Sequence, residues 1–215
     1  MAATVLEAGN LTVRRMGRAI FRDVDVALSP GGLLQVIGPN GAGKTSLLRV
    51  LSSLLQPATG RLAWRGRTVR PGDPEYLANL AYVGHTNGID ADLSAAENLS
   101  FAARMAGLRP GADALRQALG RLGLDAVAGK AVRTLSQGQR RRVSLARLAL
   151  APRELWLLDE PLTSVDDAAA ARFLALLDGH LAQGGMAVIA THQLLPVTGA
   201  DGSVLELGAC GARAA

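Results

Sequence analysis

The chain has 215 residues, 49% of them hydrophobic and 19% charged, and a formal net charge of +5. These values exclude a disordered chain and suit one large domain, or a core with an inserted subdomain. We expect no signal peptide and no membrane-spanning helix, and the single cysteine, Cys210, excludes an internal disulfide and favours a reducing compartment.

The first part of the chain is predicted to form strands and one helix. Short runs with strand patterns lie at residues 11–13, 24–28, 33–37 and, as an edge strand followed by a turn, 61–66. The run at 33–37 is wholly apolar apart from Gln35, which is typical of a buried parallel strand. A helix follows it, with apolar residues at helical spacing as far as Leu55 and an end at Pro57 and Gly60.

The second part alternates helices with buried strands. Residues 93–127 have a helical pattern, and another helix runs from after Ser136 to Ala149, stopped by Pro152. Buried strands are predicted at 155–158 and 187–190, with a helix between them. This alternation predicts an α/β fold with a mostly parallel sheet. We expect a single domain over 1–215, with a core of 1–84 and 138–215 and a helical subdomain of about 85–137.

A glycine-rich loop connects the strand at 33–37 to the first helix. It fits the pattern G-x-x-x-x-G-K-[ST] of phosphate-binding loops and consists of Gly38, Pro39, Asn40, Gly41, Ala42, Gly43, Lys44 and Thr45, followed by Ser46. The glycines allow backbone N–H groups to surround phosphate oxygens, and the helix adds its N-terminal partial positive charge. We expect Lys44 on the β- and γ-phosphates of ATP and the Thr45 hydroxyl on Mg²⁺.

Acidic and imidazole side chains follow two of the buried strands. Asp159 ends one strand and Glu160 comes next, while His192 follows the other strand. The carboxyl ends of parallel strands bind ligands, so Asp159 is expected to hold Mg²⁺ through water, and Glu160 to activate the attacking water as general base. His192 is expected to contact the γ-phosphate. The alternatives are a helix cap at Asp159 and Glu160 and a structural histidine.

The segment Leu135, Ser136, Gln137, Gly138 and Gln139 begins a helix. Ser136 and Gln139 form a capping box, which is one complete explanation of the pattern. The other is that this helix N-terminus binds a γ-phosphate, in the site of a second copy of the chain. The arginines are scattered apart from 140–142, and such charge is usually solvated surface, so no nucleic-acid partner is expected.

In their order and spacing these motifs resemble the ATP-binding subunits of ATP-binding-cassette (ABC) transporters over essentially the whole chain. The resemblance implies a P-loop NTPase core with an N-terminal antiparallel β subdomain and an inserted α-helical subdomain. It implies a homodimer with two ATP between the copies, where Ser136 and Gly138 of one copy face Lys44 of the other. Asp166 would lie in the loop that crosses this interface. Two integral membrane subunits would complete the complex, at the cytoplasmic face of the bacterial inner membrane.

Within this family the segment 82–89 resembles the cytochrome c maturation branch, which implies haem or a haem–chaperone complex as indirect cargo. His85 stands where most members carry glutamine, and we expect it beside Mg²⁺ and the attacking water. The chain departs from the family at Gln137, where glycine is commoner, and near Met16, where an aromatic residue usually stacks on adenine. A transporter for another cargo stays open, as does a nucleic-acid-associated ATPase, although that class needs a long coiled-coil insert or two cassettes.

Overall fold

The fold, taken from a computed structural model, is centred on a six-stranded sheet. The structure describes residues 4–151, 153–197, 202–208 and 211–214, so Cys210 lies outside the described residues. The order of the strands in this sheet is β10-β9-β3-β8-β7-β6. Their bounds are β3 Leu33–Ile37, β6 Leu80–Val83, β7 Leu155–Asp159, β8 Met186–Ala190, β9 Gly202–Gly208 and β10 Gly211–Ala214. Only β10 runs antiparallel to its neighbour, so the carboxyl ends of the other strands share one edge.

A second, antiparallel sheet is formed by the first part of the chain. Its order is β2-β1-β4-β5, and its strands are β1 Leu6–Arg15, β2 Arg18–Leu28, β4 Thr59–Trp64 and β5 Arg67–Thr68. The burial of β2 alternates, with Val24, Val26 and Leu28 buried and the residues between them exposed. One face of this sheet therefore packs on the core and the other faces solvent.

Six α-helices are described, and four of them cover one face of the parallel sheet. They are α3 Ala95–Met105, α4 Ala112–Arg121, α5 Gln137–Ala146 and α6 Asp167–Ala182, whereas α1 Lys44–Leu51 and the short α2 Pro74–Ala78 lie on the other side. Alternate residues of β7 belong to the two different cores: Leu155 and Leu157 to one, Trp156 and Leu158 to the other. The sheet is thus buried on both faces, and its strands are apolar for that reason.

The α/β fold with its mostly parallel sheet, antiparallel β part and helical part is confirmed, and three details of the sequence prediction are wrong. The first helix ends at Leu51 rather than near Pro57, because Ser53 has a left-handed φ of 61° and Leu54 is 66% exposed. Strand β4 is not at the edge, since β5 pairs with it. The helix that begins after Ser136 changes to a 3-10 turn over Arg147–Ala149.

Candidate active site

The glycine loop and the start of α1 surround a cavity of about 220 Å³. Its lining consists of Arg15, Ile20, Pro39, Asn40, Gly41, Gly43, Lys44, Thr45, Ser46 and Glu160. Lys44 is 6% exposed, and its ammonium donates hydrogen bonds to the carbonyls of Gly38 (2.7 Å) and Pro39 (3.3 Å). The ammonium of Lys44 is thus a compact positive charge held in place by the loop at the wall of this cavity. Such a charge suits the binding of phosphate oxygens.

Gly43 must be glycine for two reasons. Its φ is 104°, in the region that side chains rarely adopt, and a Cβ there would come within 2.6 Å of the Ile20 side chain. Gly38 is similarly constrained, since its Cβ would lie 2.2 Å from the Leu207 carbonyl oxygen. These glycines let the loop fold tightly between β2 and β9, and Lys44 is placed as a consequence.

Thr45 and Asp159 meet at the carboxyl edge of the parallel sheet. The Thr45 hydroxyl donates to Asp159 Oδ2 at 2.9 Å, across 114 residues of sequence, and Asp159 is only 2% exposed. A hydroxyl and a carboxylate are hard oxygen donors, the type that Mg²⁺ prefers in proteins. Among the described residues there is no group of three or more His, Cys, Asp or Glu that could hold a metal ion. Mg²⁺ commonly uses one or two carboxylates with substrate phosphates and water, so this donor set fits it.

Glu160 and His192 are in contact beside this pair of oxygens. His192 Nε2 lies 2.6 Å from Glu160 Oε1, and Thr163 donates to the other carboxylate oxygen at 3.2 Å. Glu160 has a left-handed φ of 50°, which is strained for a residue with a side chain. Its backbone N–H donates to the Ala190 carbonyl at 2.9 Å, which ties the turn after β7 to the end of β8. The turn that carries Glu160 is therefore fixed to the ends of both β7 and β8, and its carboxylate lies at the cavity. Thr163 also holds this carboxylate, a contact that the sequence analysis missed.

The segment 135–139 lies elsewhere. Ser136 caps α5: its Oγ accepts from Gln139 N at 3.2 Å, and Gln139 Oε1 accepts from Ser136 N at 2.9 Å, so the predicted capping box is present. Neither Ser136 nor Gly138 is among the residues that line the described cavity around Lys44. Leu135 is buried beneath the turn, whereas Ser136 and Gln137 are exposed.

Gly138 packs against the segment that leads to α6. A Cβ on Gly138 would lie 2.3 Å from the Ser164 carbonyl oxygen. Asp166 is the N-cap of α6, with its carboxylate accepting from Ala169 N at 2.9 Å, and it lies 4.0 Å from Arg142. Asp166 therefore has a local structural role as the cap of α6, and its place at an interface between copies stays a prediction.

His85 is exposed in the loop after β6 and has no described hydrogen bond or ion pair to the groups at the cavity. Its neighbour Gly84 is nevertheless linked to them. Arg141, which is 4% exposed, donates both to the Gly84 carbonyl (2.8 Å) and to the Glu160 carbonyl (3.1 Å). The sequence analysis assigned no role to Arg141, which is buried because α5 turns that side chain under the sheet edge.

Among the described residues that line the cavity none is aromatic, in line with the absence of an aromatic residue near Met16 in the sequence. Met16 is 94% exposed in the hairpin turn between β1 and β2, with a left-handed φ of 49°. Arg15, one residue earlier, lines the cavity. A larger cavity of about 960 Å³ lies near Glu154 and Gly185, which precede β7 and β8, and it includes none of the predicted site residues.

Comparison with known proteins gives matches over most of the chain. The family model described as "ABC transporter" matches residues 21–163. The "Cytochrome c biogenesis ATP-binding export protein CcmA 2" of Cupriavidus metallidurans is 67% identical over 207 residues, which cover 96% of this chain and 97% of that protein. The corresponding CcmA of Nitrosospira multiformis is 43% identical, over 94% of this chain and 98% of its own. A solved "ATP binding subunit of ABC transporter" superposes with a TM-score of 0.83 at 25% identity, covering 95% of this chain and 86% of its own.

Proposed function

The chain belongs to the ABC transporter family, and from that premise we propose that it is the ATPase subunit of a complex for c-type cytochrome biogenesis and haem export. The family establishes that the chain binds and hydrolyses ATP for a membrane complex. The observation that carries the narrower function is the 67% identity, over almost the full length of both chains, to a protein named for cytochrome c biogenesis and export.

The chemical step follows from the groups around the cavity. Glu160 accepts a proton from a water molecule while the water oxygen attacks the γ-phosphorus of ATP. The bond between that phosphorus and the oxygen bridging to the β-phosphate breaks, which releases ADP and phosphate, and the proton leaves Glu160 for solvent. Lys44 balances charge on the β- and γ-phosphates, and His192, which is 2.6 Å from Glu160, orients the carboxylate and faces the γ-phosphate.

We assign Mg²⁺ to the oxygens of Thr45 and Asp159, which lie 2.9 Å apart. When bound, Mg²⁺ would neutralise negative charge on the phosphates. Thr45 would contact it directly through its hydroxyl and Asp159 through water. His85 is proposed to stand beside the metal and the attacking water once the loop after β6 closes on ATP, because Arg141 already connects that loop to Glu160.

Two copies are proposed to share each ATP. The support is that the cavity is lined on one side by the glycine loop, whereas the capped helix start at Ser136 faces solvent and lies outside that lining. Helix N-termini bind phosphate, so an exposed one whose Ser136 hydroxyl accepts from Gln139 N but can still donate its own hydrogen suits the γ-phosphate held by a second copy. In such a dimer Asp166, next to Ser164 against which Gly138 packs, would lie at the interface.

The membrane subunits are proposed to dock beside β6 and α3. A cavity of about 400 Å³ lies there, and its lining includes the exposed apolar side chains Phe101 (59% exposed) and Met105 (74% exposed). No described helix is both long and apolar enough to cross a bilayer. An integral partner at the cytoplasmic face of the inner membrane would cover these apolar groups and contact the loop that contains His85. Haem, or a haem–chaperone complex, would be cargo of that partner.

Co-purification tests the complex and its cargo class. The tagged chain is extracted from membranes and the subunits that accompany it are identified. A c-type cytochrome assembly protein is the expected result, and a sugar or drug permease would replace the haem assignment with another cargo. Salt-dependent stimulation of ATP hydrolysis by DNA or RNA would favour the nucleic-acid-associated alternative instead.

A Glu160→Gln variant tests the catalytic assignment. Loss of the base is expected to lower kcat by about 10²- to 10⁴-fold while ATP binding is kept, and to accumulate an ATP-bound dimer. Phosphate release and light scattering measure the two effects, with Glu154→Gln as a control, since Glu154 pairs with Arg65 away from the cavity. A monomeric variant with full activity would contradict both the base and the shared site.

A further inference from the structure

Arg141 is a buried cation whose hydrogen-bond partners come from two separate loops. Its guanidinium donates from Nη1 to the Gly84 carbonyl (2.8 Å) and to Asn87 Oδ1 (3.3 Å). From Nη2 it donates to the carbonyls of Asp159 and Glu160, and from Nε to the Pro161 carbonyl at 3.3 Å. The fixed fork of a guanidinium suits several acceptors at once, whereas an ammonium cannot span them.

The charge of Arg141 is held without a direct ion pair among the described residues. Burial lowers the pKa of Arg141, and the nearby carboxylates of Asp159 and Glu160 act in the opposite direction. Arginine stays protonated in proteins, so a full positive charge lies beneath the strand end that carries both acids. Buried charges are retained where they are fully hydrogen-bonded, and the backbone carbonyls provide that here.

Arg141 also holds the strained backbone of Glu160. With φ at 50°, Glu160 has a conformation that needs support from its surroundings. Its N–H is held by the Ala190 carbonyl at 2.9 Å and its own carbonyl by Arg141 at 3.1 Å. Since the backbone fixes the Cα–Cβ direction, these two bonds set the point from which the Glu160 side chain extends, and His192 and Thr163 contact its carboxylate.

The same face of α5 holds the loop after β6. One turn beyond Arg141, the Ser144 hydroxyl donates to the Asn87 carbonyl at 2.7 Å, and Arg147 donates to the Gly88 carbonyl at 3.2 Å. Arg141 and Ser144 lie three residues apart on α5 and so share a face, and Arg147 begins the 3-10 turn that follows the helix. The loop is therefore held at Gly84, just before His85, and at Asn87 and Gly88, just after it, and Arg141 alone of these donors also reaches Glu160.

We propose that Arg141 is a positioning residue for hydrolysis, which holds the loop of His85 and the backbone of Glu160 in one fixed arrangement. The inference rests on the proposed role of Glu160 as base. Arg141 is not among the residues that line the described cavity around Lys44, so it acts through the two segments that it holds. A displacement of about 1 Å at a reacting group can cost about 100-fold in rate, so the loss of this clamp is expected to affect kcat rather than ATP binding.

The test compares Arg141→Gln and Arg141→Lys with Arg140→Gln as the matched control. Arg140 is the adjacent arginine and also donates to backbone carbonyls, at 3.1 Å to Val132 and 2.7 Å to Arg133, away from Glu160. We expect Arg141→Gln to lower kcat about 10- to 100-fold with KM for ATP within about threefold of wild type. The kcat of Arg141→Lys should lie between those of Arg141→Gln and wild type, and Arg140→Gln should have the wild-type kcat. Thermal melting and ATP affinity verify folding, and Arg141→Lys carries the test if the glutamine variant does not fold.

Combination with Glu160→Gln separates positioning from general destabilisation. If Arg141 acts through Glu160, Arg141→Gln should lower the slow residual rate of Glu160→Gln by less than about threefold, because the positioned group is already gone. A wild-type kcat in both Arg141 variants, or an equal loss with and without Glu160, would overturn the inference while leaving the base assignment intact. Full activity of Glu160→Gln alone would instead remove the base assignment and the inference together.

Discussion

Substitution of Gly138 by alanine should separate ATP binding from hydrolysis. The added Cβ would lie 2.3 Å from the Ser164 carbonyl oxygen, where real Cβ contacts are not found below 3.0 Å. The neighbouring atom is backbone, so no flexible side chain can yield, and either the start of α5 or the segment before Asp166 must shift. Overpacking of this kind costs about 1–3 kcal/mol of folding free energy.

The functional effect of Gly138→Ala should exceed the loss of stability. Gly138 lies outside the cavity around Lys44, so the affinity of a single chain for ATP should be unchanged. The displaced helix start would no longer fit the γ-phosphate held by a second copy, and hydrolysis should fall at least tenfold, which corresponds to about 1.4 kcal/mol. Equilibrium binding of a fluorescent ATP analogue and steady-state phosphate release measure these two quantities.

Gly179→Ala is the matched control for this prediction. Gly179 also lies within a helix, but nothing is found within 4 Å of its added Cβ. Alanine there should raise stability by about 0.5–1 kcal/mol, because glycine is a poor helix former, and should leave hydrolysis unchanged. If Gly138→Ala hydrolysed ATP at the wild-type rate in a folded protein, the assignment of the α5 start to the site of a second copy would be refuted.

Substitutions at two further residues, His85 and Arg15, test the edges of the site. His85→Gln should keep ATP hydrolysis while His85→Ala loses much of it, and equal wild-type rates in both would reject a role beside the attacking water. Arg15→Ala should raise KM for ATP about three- to tenfold, because a planar cation beside the adenine ring is lost, which corresponds to about 0.5–1.5 kcal/mol. Arg14→Ala is its control, since Arg14 donates to the Gly17 carbonyl and is not among the residues that line the cavity. An unchanged KM for Arg15→Ala would exclude a contact between Arg15 and the adenine of ATP.

The phosphate loop and the strand ends could be predicted because their signals are local. Gly43 and Lys44 occur in a pattern whose spacing specifies a phosphate-binding loop, and Asp159 ends an apolar run that is typical of a buried strand. The end of the first helix could not be predicted in this way. Leu54 continues the helical spacing in the sequence, and only the left-handed turn at Ser53 shows that the chain has already left the helix.

Arg141 was missed because its environment is built from distant segments. Within residues 140–142 nothing distinguishes one arginine from another, and the carbonyls that bind Arg141 come from loops up to 57 residues away in sequence. One signal was available: on a helix, Arg141 shares a face with Leu145 and Leu148, at positions four and seven residues further on. Both leucines are buried, so an arginine on the same face is expected to be buried as well. A buried guanidinium is unfavourable unless it is hydrogen-bonded, so this position indicated a set of acceptors around Arg141.

Helix α5 would connect the two half-sites of the proposed dimer. Its N-terminus at Ser136 and Gly138 is proposed to complete the ATP site of a second copy, while Arg141, one turn further, holds Glu160 in its own chain. A movement of the helix start on binding the γ-phosphate across the dimer would therefore move the support of the base in the first chain. Because the same helix face also holds the loop beside the proposed membrane-subunit groove, through Ser144 and Arg147, a partner that displaces this loop would act on Glu160 through α5.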